Sequence, residues 1–317
     1  MKVLVTGGNG FLGTSVVAGL AAAGHAVTSA DLSLPGHPTA RVDHVVMDVR
    51  DAETVTRVFR EAAPEVVVHL ASIVTPGKGS SRQLERTVDV DGTRHVLDAC
   101  LAQGVRRIVV SSSGAAYGYH ADNPERLSED DPLRGNAEFA YSDHKRQVEE
   151  MLAELRGSRP DLEQVVLRIG TILGETVDNQ ITALFMRPRL LRIRGAKSPF
   201  VFVWDTDVTA IIQLAVTGSV TGVFNVAGDG AMTVGEIAAS LGKPTLTLPE
   251  PFLRAALALG KRLGVTAYGP EQTKFLQFRP VLDNTRLREV FGYIPAYTSA
   301  EAFDAWRVAH PTSQRAS

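Results

Sequence analysis

The sequence predicts an α/β fold, in which a doubly wound parallel sheet is followed by a smaller C-terminal lobe. A short apolar strand at residues 3–5 runs into a glycine-rich turn and then into a helical segment. Apolar strands and helical segments of about 10 to 20 residues then alternate as far as residue 174. Beyond Glu175 the alternation stops, and short strands mix with helices. The change of pattern predicts a parallel sheet first and a lobe after it.

Composition excludes several classes of protein. The 317 residues are 44% hydrophobic and 21% charged, as in an ordinary globular domain. A net charge of −2 without a long basic run argues against a nucleic-acid partner. No apolar segment approaches the ~20 residues that span a bilayer, and the chain enters a strand with no room for a signal peptide. We therefore expect a cytoplasmic protein with no membrane partner.

Cysteine and histidine usage predicts neither a disulfide nor a metal. Cys100 is the single cysteine, and its helical context favours a small buried hydrophobe. The eight histidines form no His-x-x-x-His motif and no Cys/His cluster. The expectation is a reducing compartment and no bound metal.

The first turn, residues 6–13, has the form of a phosphate-binding loop. Its glycines let the backbone bend sharply and let a phosphate approach the free N–H groups where the next helix starts. Residues 25–30 predict the second strand, and Asp31 follows it about 20 residues beyond the glycines, where a carboxylate accepts hydrogen bonds from an adenine ribose. Both features together favour a Rossmann-type dinucleotide-binding domain over an ordinary strand-turn-helix. The predicted cofactor contacts of the turn are Gly7, Gly10, Phe11, Leu12 and Gly13.

The following elements continue the parallel sheet. Asp48, before a helix that runs to about residue 63, fits an N-cap. An unbroken long helix is predicted at residues 81–102, and residues 111–113 are three serines at the end of a strand. The predicted strands after the second are residues 43–47, 65–69, 106–110 and 163–168. Ligands of such sheets bind at the carboxyl ends of the strands.

Tyr141 and Lys145 lie four residues apart at the start of a predicted helix, so their side chains emerge on one face, one turn apart. A lysine ammonium within a few ångström favours phenolate over phenol, which makes the pair a general acid/base. Alone, this spacing is a common feature of surface helices. Its position after a nucleotide-binding half and a serine run favours catalysis.

These motifs resemble the extended short-chain dehydrogenases/reductases, the NAD-dependent epimerase/dehydratase family, and within it UDP-glucose 4-epimerases. The resemblance extends over nearly the whole chain and includes the GxxGxxG spacing of the first turn. It implies that Ser113 hydrogen-bonds the substrate oxygen, Tyr141 exchanges the carbinol proton and Lys145 holds the nicotinamide ribose. It also implies an adenine contact by Asp48 and Val49, as an alternative to the N-cap. The other implied cofactor contacts are Asp31, Leu70, Ala71, Ser72, Ser111, Tyr141 and Lys145.

The sequence departs from this family at two places. Asp89 stands where the family has an asparagine, so the sequence does not predict the details of the proton relay beside Lys145. Ala115 and Ala116 replace the Asp-Glu pair of the sugar dehydratases, and alanine cannot transfer protons. The remaining reaction is therefore reversible oxidation of the substrate carbinol. An epimerase then reduces the product again on its other face, whereas a dehydrogenase or ketoreductase releases it. A third possibility is a protein that binds NAD only as a structural or sensing ligand. It would require a defective Ser/Tyr/Lys triad, and all three residues are present here: Ser113, Tyr141 and Lys145.

The sequence predicts an NAD-binding Rossmann domain at 1–174 that carries the Ser/Tyr/Lys site. A mostly substrate-binding lobe is predicted at 175–310, with some segments that return to the Rossmann sheet, and a flexible tail at 311–317. Asp31 favours NAD over NADP, because it would repel a 2′-phosphate. The resemblance also implies a homodimer, formed through the two long helices that are predicted at residues 81–102 and 141–156.

The substrate prediction is a small molecule, with a nucleotide sugar and a 4-epimerase first. The alternative is an NAD-dependent alcohol dehydrogenase or ketoreductase on a non-nucleotide substrate. Ser198 stands where nucleotide-sugar epimerases of the family carry a diphosphate-binding arginine, and their later Arg-x-Gly-Asp is not recognisable around Arg279-Pro280. A diphosphate could still use a basic cluster, whose other interpretation is a solvated helix face: Arg187, Arg189, Arg192, Arg194 and Lys197.

Overall fold

The structure, a computed structural model, describes residues 1–75, 77, 79–266 and 268–311. The tail predicted at 311–317 therefore lies, apart from residue 311, outside the described residues. The strands are β1 (Lys2–Thr6), β2 (Ala26–Asp31), β3 (Val42–Val46), β4 (Val66–His69), β5 (Arg107–Ser113), β6 (Glu163–Ile169), β7 (Thr171–Leu173), β8 (Leu190–Ile193), β9 (Pro199–Phe200), β10 (Phe202–Trp204), β11 (Gly222–Val226), β12 (Met232–Thr233) and β13 (Thr245–Leu248). The α-helices are α1 (Phe11–Ala22), α2 (Ala52–Ala62), α3 (Arg82–Arg86), α4 (Gly92–Gln103), α5 (Ala140–Ser158), α6 (Gln180–Phe185), α7 (Asp205–Thr217), α8 (Val234–Ser240), α9 (Glu250–Arg262), α10 (Gln272–Gln277) and α11 (Ser299–Ala309).

The main sheet has seven parallel strands in the order β11-β6-β5-β4-β1-β2-β3. The chain starts in the middle of the sheet and winds outward to both sides, so the strand order reverses between β1 and β4. Val66, Val67 and Val68 of β4 are all buried, as expected for a strand covered on both faces. The predicted Rossmann-type doubly wound sheet is confirmed.

Helices cover both faces of this sheet and close two apolar cores. On one face α1 and α7 pack together through residues such as Val17 and Ile211. On the other face α2, α4 and α5 contribute Phe59, Cys100 and Leu152, and Cys100 is buried as predicted. Because helices cover both faces of the sheet, the ends of the strands are the places where a ligand can reach it.

The segment after residue 174 both builds a lobe and returns to the main sheet. Strand β11 pairs with β6 in parallel register, with Phe224 opposite Leu167. The lobe has its own core, in which Phe185, Phe202 and Trp306 are packed among other aromatic rings. Three two-stranded sheets, β7 with β10, β9 with β12 and β8 with β13, lie outside the main sheet.

Among the helices that the sequence predicts beyond Glu175, the one near residues 181–191 is shorter in the structure. Helix α6 ends at Phe185, and the chain continues as strand β8, which pairs with β13. Pro188 supplies no backbone N–H and disfavours a helical residue before it, so a helix cannot continue through it. The interpretation of the basic cluster as a solvated helix face is therefore wrong. These five basic residues are exposed on a turn, on β8 and on the loop that follows: Arg187, Arg189, Arg192, Arg194 and Lys197.

The helix predicted unbroken at 81–102 contains a change of geometry. Residues 87–91 form one π-helical turn between α3 and α4. The extra residue in such a turn changes which side chains face inward, and these turns are frequent at functional sites. Here the π-helical turn carries Asp89, whose side chain is buried.

Candidate active site

The predicted site residues come from separate elements but gather at one edge of the sheet. The glycine turn follows β1, Asp31 ends β2, and residues 70–72 follow β4. Ser111 and Ser113 lie at the end of β5. All of these strands are parallel, so their carboxyl ends share one edge, next to the point where the strand order reverses.

The glycine turn brings backbone segments too close together to admit a side chain. Gly7 has a φ of +71°, and a Cβ there would lie 2.7 Å from the backbone nitrogen of Ala71. A Cβ on Gly13 would lie 2.8 Å from Gly8 Cα and would also clash with the Gly7 carbonyl oxygen. The N–H of Gly10 donates to that same carbonyl at 3.1 Å, which closes the turn. A backbone-lined cradle before a helix fits the pyrophosphate of a dinucleotide.

The Asp31 carboxylate is fixed beside this turn by the backbone. It accepts hydrogen bonds from the N–H groups of Asn9 at 2.8 Å and Leu32 at 2.7 Å. The first bond ties the end of β2 to the glycine turn, 22 residues earlier. A carboxylate held at this point fits the hydroxyl groups of an adenine ribose.

Asp48 does not cap α2. The N-cap is Asp51, whose side chain accepts hydrogen bonds from the N–H groups of Glu53 and Thr54. Asp48 instead pairs with Arg50, whose Nε lies 2.9 Å from Oδ2, and this hydrogen bond lowers the pKa of Asp48. The N-cap interpretation is therefore wrong, and the adenine contact stays a prediction.

A buried histidine at the end of β4, His69, connects the end of β1 to helix α4. His69 Nδ1 lies 2.7 Å from Thr6 Oγ1, and His69 Nε2 lies 2.9 Å from Thr93 Oγ1. The Thr93 hydroxyl donates to the Asp89 carbonyl, so it accepts from Nε2–H, and the Thr6 hydroxyl donates to Nδ1. Burial, with the nearby Lys145 charge, lowers the pKa of His69 to about 3. His69 is therefore neutral at physiological pH.

Asp89 is the centre of a second polar group. Its carboxylate accepts hydrogen bonds from Ser72 Oγ and from the Ile73 N–H, each at 2.9 Å. Its other oxygen lies 3.4 Å from His144 Nδ1. Burial raises the pKa of Asp89, but these hydrogen bonds and the Lys145 charge outweigh that effect, and the net pKa is lowered. An ionised carboxylate is thus held close to the predicted catalytic lysine.

Tyr141 and Lys145 lie on one face of α5, as their spacing predicts. Lys145 is buried, its Nζ lies 5.6 Å from the centre of the Tyr141 ring, and it donates a 2.9 Å hydrogen bond to the Ser111 carbonyl oxygen. The Ser113 hydroxyl accepts the N–H of Ala115 at 3.1 Å. A tyrosine beside a fixed ammonium and a serine at the end of the adjacent strand can donate or accept a proton at a substrate oxygen.

Sequence reasoning missed His69 and His144 as parts of this site. His69 closes an apolar strand, which is a weak signal that a polar group lies at the sheet edge. His144 directly precedes Lys145, and its burial depends on the packing of α5 against the π-helical turn. The partners of both histidines lie 24 to 63 residues away in the chain, and a local pattern does not contain such pairs.

A further buried group supports β5 and β6 below the site. Glu149 of α5 accepts hydrogen bonds from Arg168 Nε at 2.9 Å and from Ser112 Oγ at 2.5 Å. Arg168 also donates to the Tyr117 hydroxyl at 2.6 Å and stacks over its ring. These contacts hold the serine strand against the helix that carries Tyr141 and Lys145.

The described part of the chain contains neither a cluster that could bind a metal nor a helix that could span a membrane. No cluster of three or more His, Cys, Asp or Glu side chains there has the geometry to hold a metal ion. Among the same residues, no helix is both long enough and apolar enough to cross a bilayer.

The parallel sheet, the glycine cradle and the carboxylate at the end of β2 define a dinucleotide-binding protein of the short-chain dehydrogenase/reductase type. The model of the NAD-dependent epimerase/dehydratase family matches residues 3–227, so the chain belongs to that family. The predicted family and the predicted cofactor, NAD, are confirmed.

Known proteins of this kind are similar over nearly the full length of the chain. The 3-diazoavenalumate denitrifying reductase of a Streptomyces species is 30% identical over 312 residues, covering 94% of this chain and 97% of that protein. Thermus thermophilus UDP-glucose 4-epimerase, solved with NAD, is 25% identical with a TM-score of 0.74 and full coverage of both chains. Thermotoga maritima UDP-glucose 4-epimerase, solved with UDP-glucose, has a TM-score of 0.76 and covers 98% of each chain, but at 22% identity it shows the fold alone.

Proposed function

We propose that the chain is an NAD-dependent enzyme that transfers hydride reversibly at a secondary carbinol of a nucleotide sugar, in the manner of a 4-epimerase. The observation that carries the proposal is the placement of Tyr141 and Lys145 on one face of α5, with Lys145 tied to the Ser111 carbonyl. In this proposal the Tyr141 phenolate takes the carbinol proton while Ser113 donates a hydrogen bond to the same oxygen. The glycine turn and Asp31 would hold NAD, which would supply the hydride acceptor for this oxidation and the hydride donor for its reversal.

Lys145 has two parts in the proposed reaction. Its charge stabilises the Tyr141 phenolate, and its ammonium binds the nicotinamide ribose. Since the Ser111 carbonyl takes only one of the three ammonium protons, two remain for these contacts. The lobe after residue 174 would hold the rest of the substrate. The homodimer stays a prediction.

A dehydrogenase or ketoreductase acting on a non-nucleotide substrate is the second candidate. One relative that spans nearly the whole chain is a reductase whose name specifies a non-nucleotide substrate. Ser198, at the place of the family's diphosphate-binding arginine, is buried and cannot supply a cation. Both observations favour a substrate without a diphosphate.

Replacing Tyr141 by Phe tests the acid/base role. The ring remains and only the hydroxyl is lost, so we expect turnover to fall by roughly 10² to 10⁴ while NAD affinity stays unchanged. Steady-state kinetics and calorimetric titration with NAD measure the two quantities. Tyr268→Phe, at an exposed tyrosine, is the matched control and should keep wild-type turnover. More than a tenth of wild-type turnover in Tyr141→Phe would show that another group exchanges the proton.

The two candidates differ in their yield of NADH. Wild-type protein loaded with NAD is incubated with UDP-glucose or UDP-galactose, and both hexose interconversion and absorbance at the NADH band are followed. The epimerase proposal expects interconversion without net NADH, because the hydride is returned. In a parallel incubation, non-nucleotide secondary alcohols replace the UDP-hexoses. NADH formed there in proportion to a ketone product, with neither UDP-hexose bound nor converted in the first incubation, would establish the second candidate.

A further inference from the structure

The Asp89 carboxylate connects the loop after β4 to the helix that carries Lys145. One of its oxygens accepts hydrogen bonds from Ser72 Oγ and from the Ile73 N–H, each at 2.9 Å. The other lies 3.4 Å from Nδ1 of His144, a fully buried side chain that directly precedes Lys145 on α5. Because these contacts hold the carboxylate from two sides, its position relative to Lys145 is fixed by the fold.

Lys145 is fixed in the same region by the neighbouring strand. Its ammonium donates a 2.9 Å hydrogen bond to the Ser111 carbonyl oxygen on β5. Burial raises the pKa of Asp89, but the hydrogen bond from His144 and the Lys145 charge outweigh burial, so the pKa is lowered. The same lysine charge adds to the effect of burial in lowering the pKa of His69, whereas the Asp89 charge opposes it. Asp89 and Lys145 are therefore opposite charges that act on one buried region.

Among the described residues, no arginine or lysine forms an ion pair with Asp89, in contrast to other carboxylates near it. Asp91, on the same turn, is partly exposed and pairs with Arg86 at 3.0 Å. Glu149 of α5 pairs with Arg168 at 2.8 Å. The other titratable or charged groups on the elements packed here are Glu85, bonded to Ser80; Asp143, paired with Arg82 and Arg146; His95, bonded to the Val49 carbonyl; the neutral His69; the buried Tyr119; and Arg279, whose pKa burial lowers to about 9. The Asp89 charge is therefore left to act on Lys145.

Aspartate and asparagine have nearly the same size, so the difference that this chain introduces at residue 89 is a charge. The centre of the Tyr141 ring lies 5.6 Å from Lys145 Nζ, whose positive charge favours the phenolate. A carboxylate near that ammonium reduces the positive field at Tyr141, and an asparagine would not. Lys145 and Asp89 therefore act on the tyrosine proton in opposite directions.

We propose that Asp89 is a positioning residue whose carboxylate partly neutralises Lys145 and thereby sets the pH range in which Tyr141 loses its proton. The inference rests on the proposed function, because Tyr141 is the acid/base assigned there. At a given pH, the Asp89 charge enlarges the fraction of protein in which Tyr141 is a phenol. The phenol is the form that donates a proton to a carbonyl, so the charge favours the reduction step over the oxidation step.

The test is an ultraviolet difference titration of Tyr141 in NAD-loaded protein, which needs no substrate. Each protein is titrated against the same protein carrying Tyr141→Phe, so the tyrosinate band of the difference spectrum belongs to Tyr141. We expect the midpoint in Asp89→Asn to lie below that of wild type by roughly half a pH unit or more. Asp91→Asn is the matched control on the same turn. It removes one partly exposed charge, which solvent screens, and should leave the midpoint unchanged.

Asp89→Glu separates the charge from the packing. Glutamate keeps the charge but changes the contacts with Ser72 and Ile73, so its midpoint should stay closer to wild type than that of Asp89→Asn. If Asp89→Asn does not fold, Asp89→Ser replaces it, because serine also removes the charge and keeps an oxygen that can accept a hydrogen bond. The same downward shift is expected from it.

Three results would overturn the proposal. The midpoint could be unchanged in the uncharged variant, it could move to higher pH, or Asp91→Asn or Asp89→Glu could shift it as far as Asp89→Asn does. Calorimetric titration with NAD shows whether the cofactor site of each variant is intact. The turnover of Tyr141→Phe does not depend on this titration, so the proposed function and this inference fail separately.

Discussion

Asp31, at the end of β2, is the side chain that we expect to determine which dinucleotide the protein accepts. The Asp31 carboxylate is fixed by the N–H groups of Asn9 and Leu32, so it cannot turn away from a ribose placed above the glycine turn. A 2′-phosphate at that ribose would bring a second negative charge close to it. We therefore predict that discrimination between NAD and NADP depends on this carboxylate, which the backbone has already positioned.

We expect wild-type protein to bind NAD(H) more tightly than NADP(H), and Asp31→Asn to lose most of that preference. Asparagine keeps the size of the side chain and one carbonyl acceptor but removes the repelling charge. Fluorescence titration with NADH and NADPH measures both dissociation constants. The exposed Asp98→Asn on α4 is the control and should keep the preference. NADPH binding as tight as NADH binding in wild-type protein would contradict the prediction.

Among the elements, the π-helical turn at residues 87–91 brings a buried carboxylate to the site. It directs Asp89 inward, where its carboxylate meets Ser72, Ile73 and His144. This aspartate, where the family has an asparagine, thus has a histidine partner on α5. The departure from the family pattern is explained structurally by this contact.

Asp89→Asn should lower the free energy of unfolding by roughly 2 kcal/mol, because hydrogen bonds to a charged, buried group are lost or weakened. His144→Ala should cost much less in the Asp89→Asn protein than in wild type, since the two side chains share one contact. Urea unfolding of the four proteins of this double-mutant cycle gives the coupling. Equal effects of His144→Ala in both backgrounds would mean that the pair does not interact.

For the whole molecule, the neutral His69 makes stability depend on pH. An unfolded histidine titrates near 6.5, whereas burial lowers the pKa of His69 to about 3 in the folded protein. Between these values the unfolded state binds one more proton, so the free energy of unfolding falls as the pH is lowered. The contribution is fully present above pH 6.5 and is lost progressively toward pH 3.

We expect this single group to contribute a slope of at most about 1.4 kcal/mol per pH unit. His69→Gln cannot titrate and should flatten the dependence by about one proton between pH 4.5 and 6. Urea unfolding followed by circular dichroism across that range measures it. His37→Gln, at an exposed histidine, should keep the wild-type slope. An unchanged slope in His69→Gln would show that His69 is protonated in the folded protein.

Local patterns predicted the parts of this molecule that local physics determines. The glycine turn, the valine strand β4 and the Tyr141/Lys145 spacing each depend on residues close in sequence. The sequence does not predict strand β13, because this strand is largely exposed and lacks an apolar run. The helical pattern near residues 181–191 predicts α6 too long, because the pattern alone does not include the effect of Pro188. The partners of His69 come from distant segments, so only the folded chain reveals them.

The pairing of β11 with β6 also limits how this chain can be divided. A fragment ending at residue 174 would leave β6 as an edge strand, with the backbone groups that β11 now satisfies open to other chains. It would also lose α7, which covers Val17 and its neighbours on α1. The parallel sheet of the nucleotide-binding half is therefore complete only when residues 222–226 are present. Until then, the cofactor cradle belongs to a sheet with one side unfinished.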